Sequence, residues 1–227
     1  MAITTTRLIG AAGICAAVAG AIFIGVQIGH PEMNTESITT TEVVVRTSFK
    51  VLMAALAIAG ITGMYLSQVR RNGVLGLIGF LVLAVGYLLI MSSTYASGYV
   101  FPSIADTDPA YVRDFIAAAE GNTPAGDLGA LGTLIQIQGF AYLIGGLLFG
   151  IALYRARVLA RWAAALLAVG GLASVVLSVM PDAFYRLLAW PNGIAMIGLG
   201  YSLWGERHTT TEPVPSVSTS RLEPAGV

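Results

Sequence analysis

Long apolar stretches separated by short polar ones dominate the chain. Six of them, at 8–29, 49–69, 73–98, 128–154, 161–180 and 183–204, approach the roughly 20 residues a helix needs to cross the hydrocarbon core of a bilayer. The helix of the second stretch is expected to start upstream, near Glu42. The sixth is interrupted by Pro191-Asn192-Gly193, where Pro removes a backbone donor and Gly loosens the helix. The pattern predicts an all-α fold, a polytopic membrane bundle of about six transmembrane helices over residues 1–205, followed by a polar tail at 206–227. The tail is rich in Thr, Ser, Pro and Glu, cannot bury a core, and is expected to be disordered.

Arg7 before the first stretch raises the alternative of a signal peptide, but the apolar core of such a peptide runs only about 7–15 residues. Ala12-Gly13-Ile14-Cys15 has the outline of a lipoprotein cleavage box, yet Ile14 is too large for it and Cys15 sits in the middle of the stretch. A retained helix is the better reading.

Orientation follows from basic residues in the short loops. With the N-terminus inside, the inner segments hold Arg7, Arg70, Arg71, Arg155, Arg157, Arg161, Arg207 and Arg221, against Arg46, Lys50, Arg113 and Arg186 outside. Eight against four favours both termini in the cytoplasm and an even number of spans. The acids divide the other way, with only Glu206, Glu212 and Glu223 inside.

The first outer loop, 30–41, is short and polar; the second, 99–127, is long and acidic. In the second, Asp108-Pro109 is a helix start, because Asp can cap and Pro suits the first turn. Gly121 is a stop. Between them Tyr111, Val112, Phe115, Ile116 and Ala119 share one face. This predicts a short amphipathic helix, lying on the outer surface or folded as a lid over the bundle. Tyr95, Tyr99, Phe101, Tyr111 and Phe115 would form an outer aromatic belt.

Lipid is as apolar as leucine, so membrane helices associate where small residues let backbones approach. Such a seam runs through Gly129, Gly132, Gln136, Gly139, Leu143, Gly146 and Gly150 of the fourth helix, and another through Gly76, Gly79, Leu83, Gly86, Ile90, Ser93 and Ser97 of the third. Gly13, Ala16 and Gly20 in the first helix, Ala57 and Gly60 in the second, and Ala164, Gly171, Ser174 and Ser178 in the fifth are similar. The seams serve a tight monomer or a homo-oligomer equally well.

Composition agrees: 56% of the 227 residues are hydrophobic and 11% charged, where soluble domains carry about 25% charged. Net charge is zero, so nothing points to nucleic acid. Cys15 is the single cysteine, which excludes an intrachain disulfide and a cysteine-built metal cluster. Lys50 is the sole lysine in a chain rich in Ala, Gly and Val, a composition typical of a GC-rich bacterial genome.

No Asp or Glu lies inside an apolar stretch, which disfavours a proton-driven carrier. His30 and His208 fall on opposite sides of the membrane and cannot jointly ligate haem or zinc. No span contains a histidine to serve as the base of a serine nucleophile, and no phosphate-binding loop is present. No cofactor is expected. His30-Pro31-Glu32 is a weak metal motif, more simply read as a solvated pair.

Polar character gathers near the outer leaflet. Glu42, Arg46 and Lys50 are spaced four apart and form one stripe, which continues onto Ala57 and Gly60. Gln27, Ser93, Gln136 and Asn192 lie at comparable depth. The functional expectation is a pocket for a small or amphipathic anion, with Lys50 and Arg46 as charge partners and Gln136, Asn192, Gln27 and Ser93 as hydrogen-bonding groups. The simpler account has Lys50 and Arg46 snorkelling to lipid phosphates, Gln136 tying two helices together, and Asn192 capping the restarted helix.

The stretches RTSFKVLMAALAIAGITGMYLSQVRR, LLFGIALYRARVLARWAAALLAVG and IGLGYSLW resemble a group of small six-helix integral membrane proteins of actinobacterial type. The resemblance covers most of 7–205 and implies the six-helix fold; it carries no activity and no site residue. The leading expectation is a non-enzymatic, multi-pass protein of the bacterial plasma membrane that binds membrane lipids or a small amphiphile, or serves as an accessory to another membrane protein. The rivals are a small-solute transporter and an intramembrane lipid-modifying enzyme.

Overall fold

The computed structural model describes residues 4–177 and 189–209, with side chains for 4–170 and 189–206. The end of the fifth apolar stretch, the start of the sixth, Asp182, Arg186 and the tail from 210 onward lie outside the described residues.

The described chain is helical and contains no strand. Its helices are α1 (Thr5–Gly25), α2 (Thr41–Ser67), α3 (Val69–Tyr95), α4 (Phe101–Ile104), α5 (Pro109–Ala119), α6 (Ala130–Ala156), α7 (Arg161–Leu177) and α8 (Ala189–Thr209). A 3-10 turn, Ser37–Thr39, precedes α2, and a wide turn, Ala96–Val100, joins α3 to α4. Local chemistry sets the boundaries. The Thr4 hydroxyl accepts from the Arg7 N–H, the Thr40 hydroxyl from the Val43 N–H, and the Asp108 carboxylate from the Tyr111 N–H; each satisfies an orphan donor at a helix start. Pro191-Asn192-Gly193 lies within α8, which is described from Ala189 onward.

Among the described residues, four helices are long and apolar enough to cross a membrane: α1, α2, the stretch Val69–Ile104 that runs from α3 through α4, and α6.

The six long helices form a closed ring. α1 packs on α2, α2 on α3, α3 on α6, α6 on α7, α7 on α8, and α8 returns to α1. Every neighbouring pair is antiparallel. Gly60 and Gly63 of α2 meet Ala16 and Ala12 of α1, and Thr47 of α2 meets Gly98 just after α3. Gly79 and Gly86 of α3 meet Phe149 and Tyr142 of α6, and Gly150 and Gly146 of α6 meet Ala164 and Leu167 of α7. Gly198 and Gly170 pair α8 and α7 through Trp162 and Asn192, while Gly13 and Gly20 of α1 meet Gly200 and Gly193 of α8. An alternating ring closes only with an even number of members, so Thr5 and Thr209 lie at the same end of the bundle.

The seam between α1 and α8 is a backbone contact. A Cβ on Gly200 would sit 2.5 Å from the Gly13 carbonyl oxygen and 2.7 Å from the Ala17 nitrogen, so only glycine permits this backbone contact. The main core runs along the ring through Ile61, Met64, Leu83, Tyr87, Phe149, Leu153, Leu167, Met196, Leu199 and Leu203.

A second, separate core caps the end of the bundle where α1 stops and α2 starts. Ile38, Phe101, Val112, Phe115, Ile116, Leu128 and Ile135 are buried together there. The rings of Phe101 and Phe115 lie 4.1 Å apart. The expected amphipathic helix is therefore α5, and its apolar face is folded inward onto this cap. Phe101 and Phe115 sit inside the cap and do not form an exposed belt; Tyr95 and Tyr99 stay exposed.

Candidate functional site

A groove runs between the end of α1 and the start of α2, with a volume of about 560 Å³. Ile22, Val26, Val45 and Phe49 make its apolar wall, and Thr41, Glu42 and Arg46 its polar edge. Helix period places Glu42, Val45, Arg46 and Phe49 on one face of α2.

Arg46 is the most connected side chain here. Its Nε donates to Glu42 Oε1 at 2.9 Å. One Nη donates to the carbonyls of Val26 at 3.1 Å and Ile28 at 2.9 Å, and the other to the carbonyl of Gly29 at 3.0 Å. Val26 is the C-cap of α1, and Ile28 and Gly29 lie in the turn just beyond it, facing the negative end of the helix dipole. Gly29 has φ 61°, which turns the chain so that its carbonyl meets the guanidinium. Arg46 is thus a side-chain cap supplied by one helix to its neighbour.

Lys50 lies one turn further along α2. Its Nζ is 2.9 Å from His30 Nε2, and His30 Nδ1 is 2.8 Å from the Pro31 carbonyl oxygen. A carbonyl can only accept, so Nδ1 carries the ring proton and Nε2 accepts from the Lys50 ammonium. His30 is directed to Lys50, and among the described residues no three His, Cys, Asp or Glu side chains gather as a metal site.

The other expected site residues lie apart. Ser93 donates to Gln138 Oε1 at 2.7 Å and so ties α3 to α6. Gln136, two residues away on α6, is exposed. The helix-tying amide of α6 is therefore Gln138. Asn192 is buried against Gly170 of α7, while its neighbour Gly193 faces Gly20 and Ile24 of α1. Gln27 is half-buried just beyond α1. Of the six candidates only Arg46 lines the groove.

Three polar features escaped the sequence reading. At the opposite end of the bundle, Gln68 and Asn72 are buried where α2 turns into α3. Gln68 Nε2 donates to the Met64 carbonyl at 3.2 Å, but Gln68 Oε1 and both polar atoms of the Asn72 amide have no hydrogen-bond partner among the described residues. Gly73, with φ 57° and ψ −163°, breaks the helix directly after Asn72. In the core, Tyr87 and Tyr142 meet edge to face with ring centres 5.4 Å apart. Beyond the last apolar turn of α8, burial raises the pKa of Glu206, and the nearby Arg71 guanidinium opposes part of that rise.

No family model, curated protein or solved structure matches this chain.

Proposed function

We propose that this chain is a six-pass integral protein of a bacterial plasma membrane. Both termini are cytoplasmic, the α5 cap faces outward, and the protein acts without catalysing a reaction by holding a lipid or small amphiphile. The membrane reading is supported by the four long apolar helices and by the Arg70, Arg71, Arg155, Arg157 and Arg161 side chains at one end of the ring. The position of the acidic cap at the opposite end of the alternating ring supports this orientation.

The groove between α1 and α2 carries the binding reading. It joins an apolar wall to a polar edge, as an amphiphile requires, and it opens on the outside of the ring, where lipid tails run. It is rigid on one side because Arg46 fastens the end of α1. Its one carboxylate, Glu42, is paired with Arg46, which favours binding without turnover.

The test is native mass spectrometry of protein extracted in mild detergent, comparing wild type with Val45→Trp, which fills the groove from an exposed position. A stoichiometric adduct that the variant loses is expected; identical spectra would remove the reading. Membrane sidedness is checked in a Cys15→Ala background by labelling Thr107→Cys and Arg157→Cys. A membrane-impermeant reagent should modify the first in intact cells and the second only after permeabilisation.

A further inference from the structure

We propose that the occupant of the α1–α2 groove is an aminophospholipid, held by its ammonium at Glu42, and not an anion. The inference rests on the groove being the binding site and assigns the chemistry of what it holds.

Donor and acceptor inventory decides the sign. A guanidinium has five N–H groups, and four of those on Arg46 are engaged by Glu42 and by three carbonyls at the end of α1. Its charge also faces the negative end of the α1 dipole. The Lys50 ammonium is directed at His30, and Lys50 does not line the groove. The cations that made an anion site attractive are thus committed to the protein.

What the polar edge still offers is an acceptor. Glu42 is 58% exposed and gives one carboxylate oxygen to Arg46; its other oxygen has no partner among the described residues. A primary ammonium donates charge-assisted hydrogen bonds to such an oxygen, and the remaining Arg46 N–H suits the adjoining phosphate diester. Ile22, Val26, Val45 and Phe49 receive an acyl chain. Both wall helices are long enough to cross a membrane, so the groove runs into the layer where phospholipid is the abundant amphiphile. A zwitterionic headgroup with donor N–H groups matches this acceptor-plus-donor edge. Phosphatidylglycerol lacks the cation, and phosphatidylcholine lacks the N–H donors.

The probes are phosphatidylethanolamine, phosphatidylcholine and phosphatidylglycerol of matched acyl chains, added to full-length delipidated protein and read by native mass spectrometry. Wild type should retain phosphatidylethanolamine over both others. Glu42→Gln keeps an acceptor for the Arg46 Nε–H but loses the charge, and should lower that retention about tenfold, the value of one charge-assisted hydrogen bond. Equal retention of the three lipids, or an ethanolamine preference intact in Glu42→Gln, would overturn the proposal. Preference for phosphatidylglycerol that Val45→Trp abolishes would overturn the ammonium assignment and leave the groove standing. Adducts indifferent to Val45→Trp would overturn both.

Discussion

Arg46→Met removes the guanidinium and keeps the apolar stem, so it separates a structural clamp from a ligand contact. Three carbonyls lose a donor. Two of them, on Ile28 and Gly29, are on exposed residues, and water can replace the arginine at little cost. The third belongs to Val26, which is 7% exposed. Losing a charged donor at a buried acceptor costs about 1.5–3 kcal/mol, and the bond to Glu42 is a surface pair worth well under 1 kcal/mol. The total is therefore near 2 kcal/mol, far below a simple tally of four bonds. For a chain of this size that is a fall of roughly 4–8 °C in Tm. Thermal unfolding in detergent micelles, followed by tryptophan fluorescence, reads it directly. Arg46→Lys, a single point charge in place of a fork, should fall between wild type and methionine. A midpoint for Arg46→Met within about 1 °C of wild type would refute the clamp.

Three further expectations can be read by the same assay. Gly200→Ala should destabilise, because backbone atoms of α1 stand on both sides of the new Cβ and overpacking of that kind costs about 1–3 kcal/mol; Gly205→Ala, which meets nothing within 4 Å, should be neutral or gain up to about 1 kcal/mol from helix propensity. Asn72→Leu should raise stability by roughly 1–3 kcal/mol, since it replaces a buried amide that has no hydrogen-bond partner among the described residues by an apolar group of similar volume; a fall would mean that the amide is satisfied by water or a ligand. Glu206 has a raised folded pKa, so its ionised form is the one the fold disfavours. Stability is fully present below the ordinary glutamate value of 4.5 and is lost as pH rises through the folded pKa. Tm should therefore be higher in mild acid than at neutrality, and Glu206→Gln should flatten that dependence.

Apolar length was enough to locate α1, α2, α3 and α6, and the Asp108-Pro109 start and Gly121 stop located α5. The stripe Gly76, Gly79, Leu83, Gly86 on α3 is buried as its spacing requires. The partner stripe on α6 was only half legible. Gly146 and Gly150 are packed, but Gly139 and Gln136 are exposed, and the face toward α3 is Gln138, Tyr142, Gly145, Phe149 and Ala152. Counting glycines misses this face because small residues on one helix make room for large ones on the other. Phe149 and Tyr142 fill the space that Gly79 and Gly86 leave. The site was less legible still. Arg46 and Lys50 stand out in sequence because they are charged, but the partners of Arg46 are mainly backbone carbonyls 17–20 positions earlier in the chain. A carbonyl leaves no mark in an amino-acid sequence, so a cap supplied by another helix looks like an available charge.

The ring closes through α1 and α8, one of its most extensive interfaces. During vectorial synthesis α1 emerges well before its partner α8. Until α8 arrives, Gly13 and Gly20 present bare backbone to lipid or to whatever helix is nearest. The α1 flank thus stays open while α2 to α7 are made, and the contact that covers it has the longest sequence separation among the described helices, which makes it a slow one. A membrane chaperone or quality-control protease that recognises unpaired small-residue flanks would find this protein through α1 and would lose its grip when α8 docks.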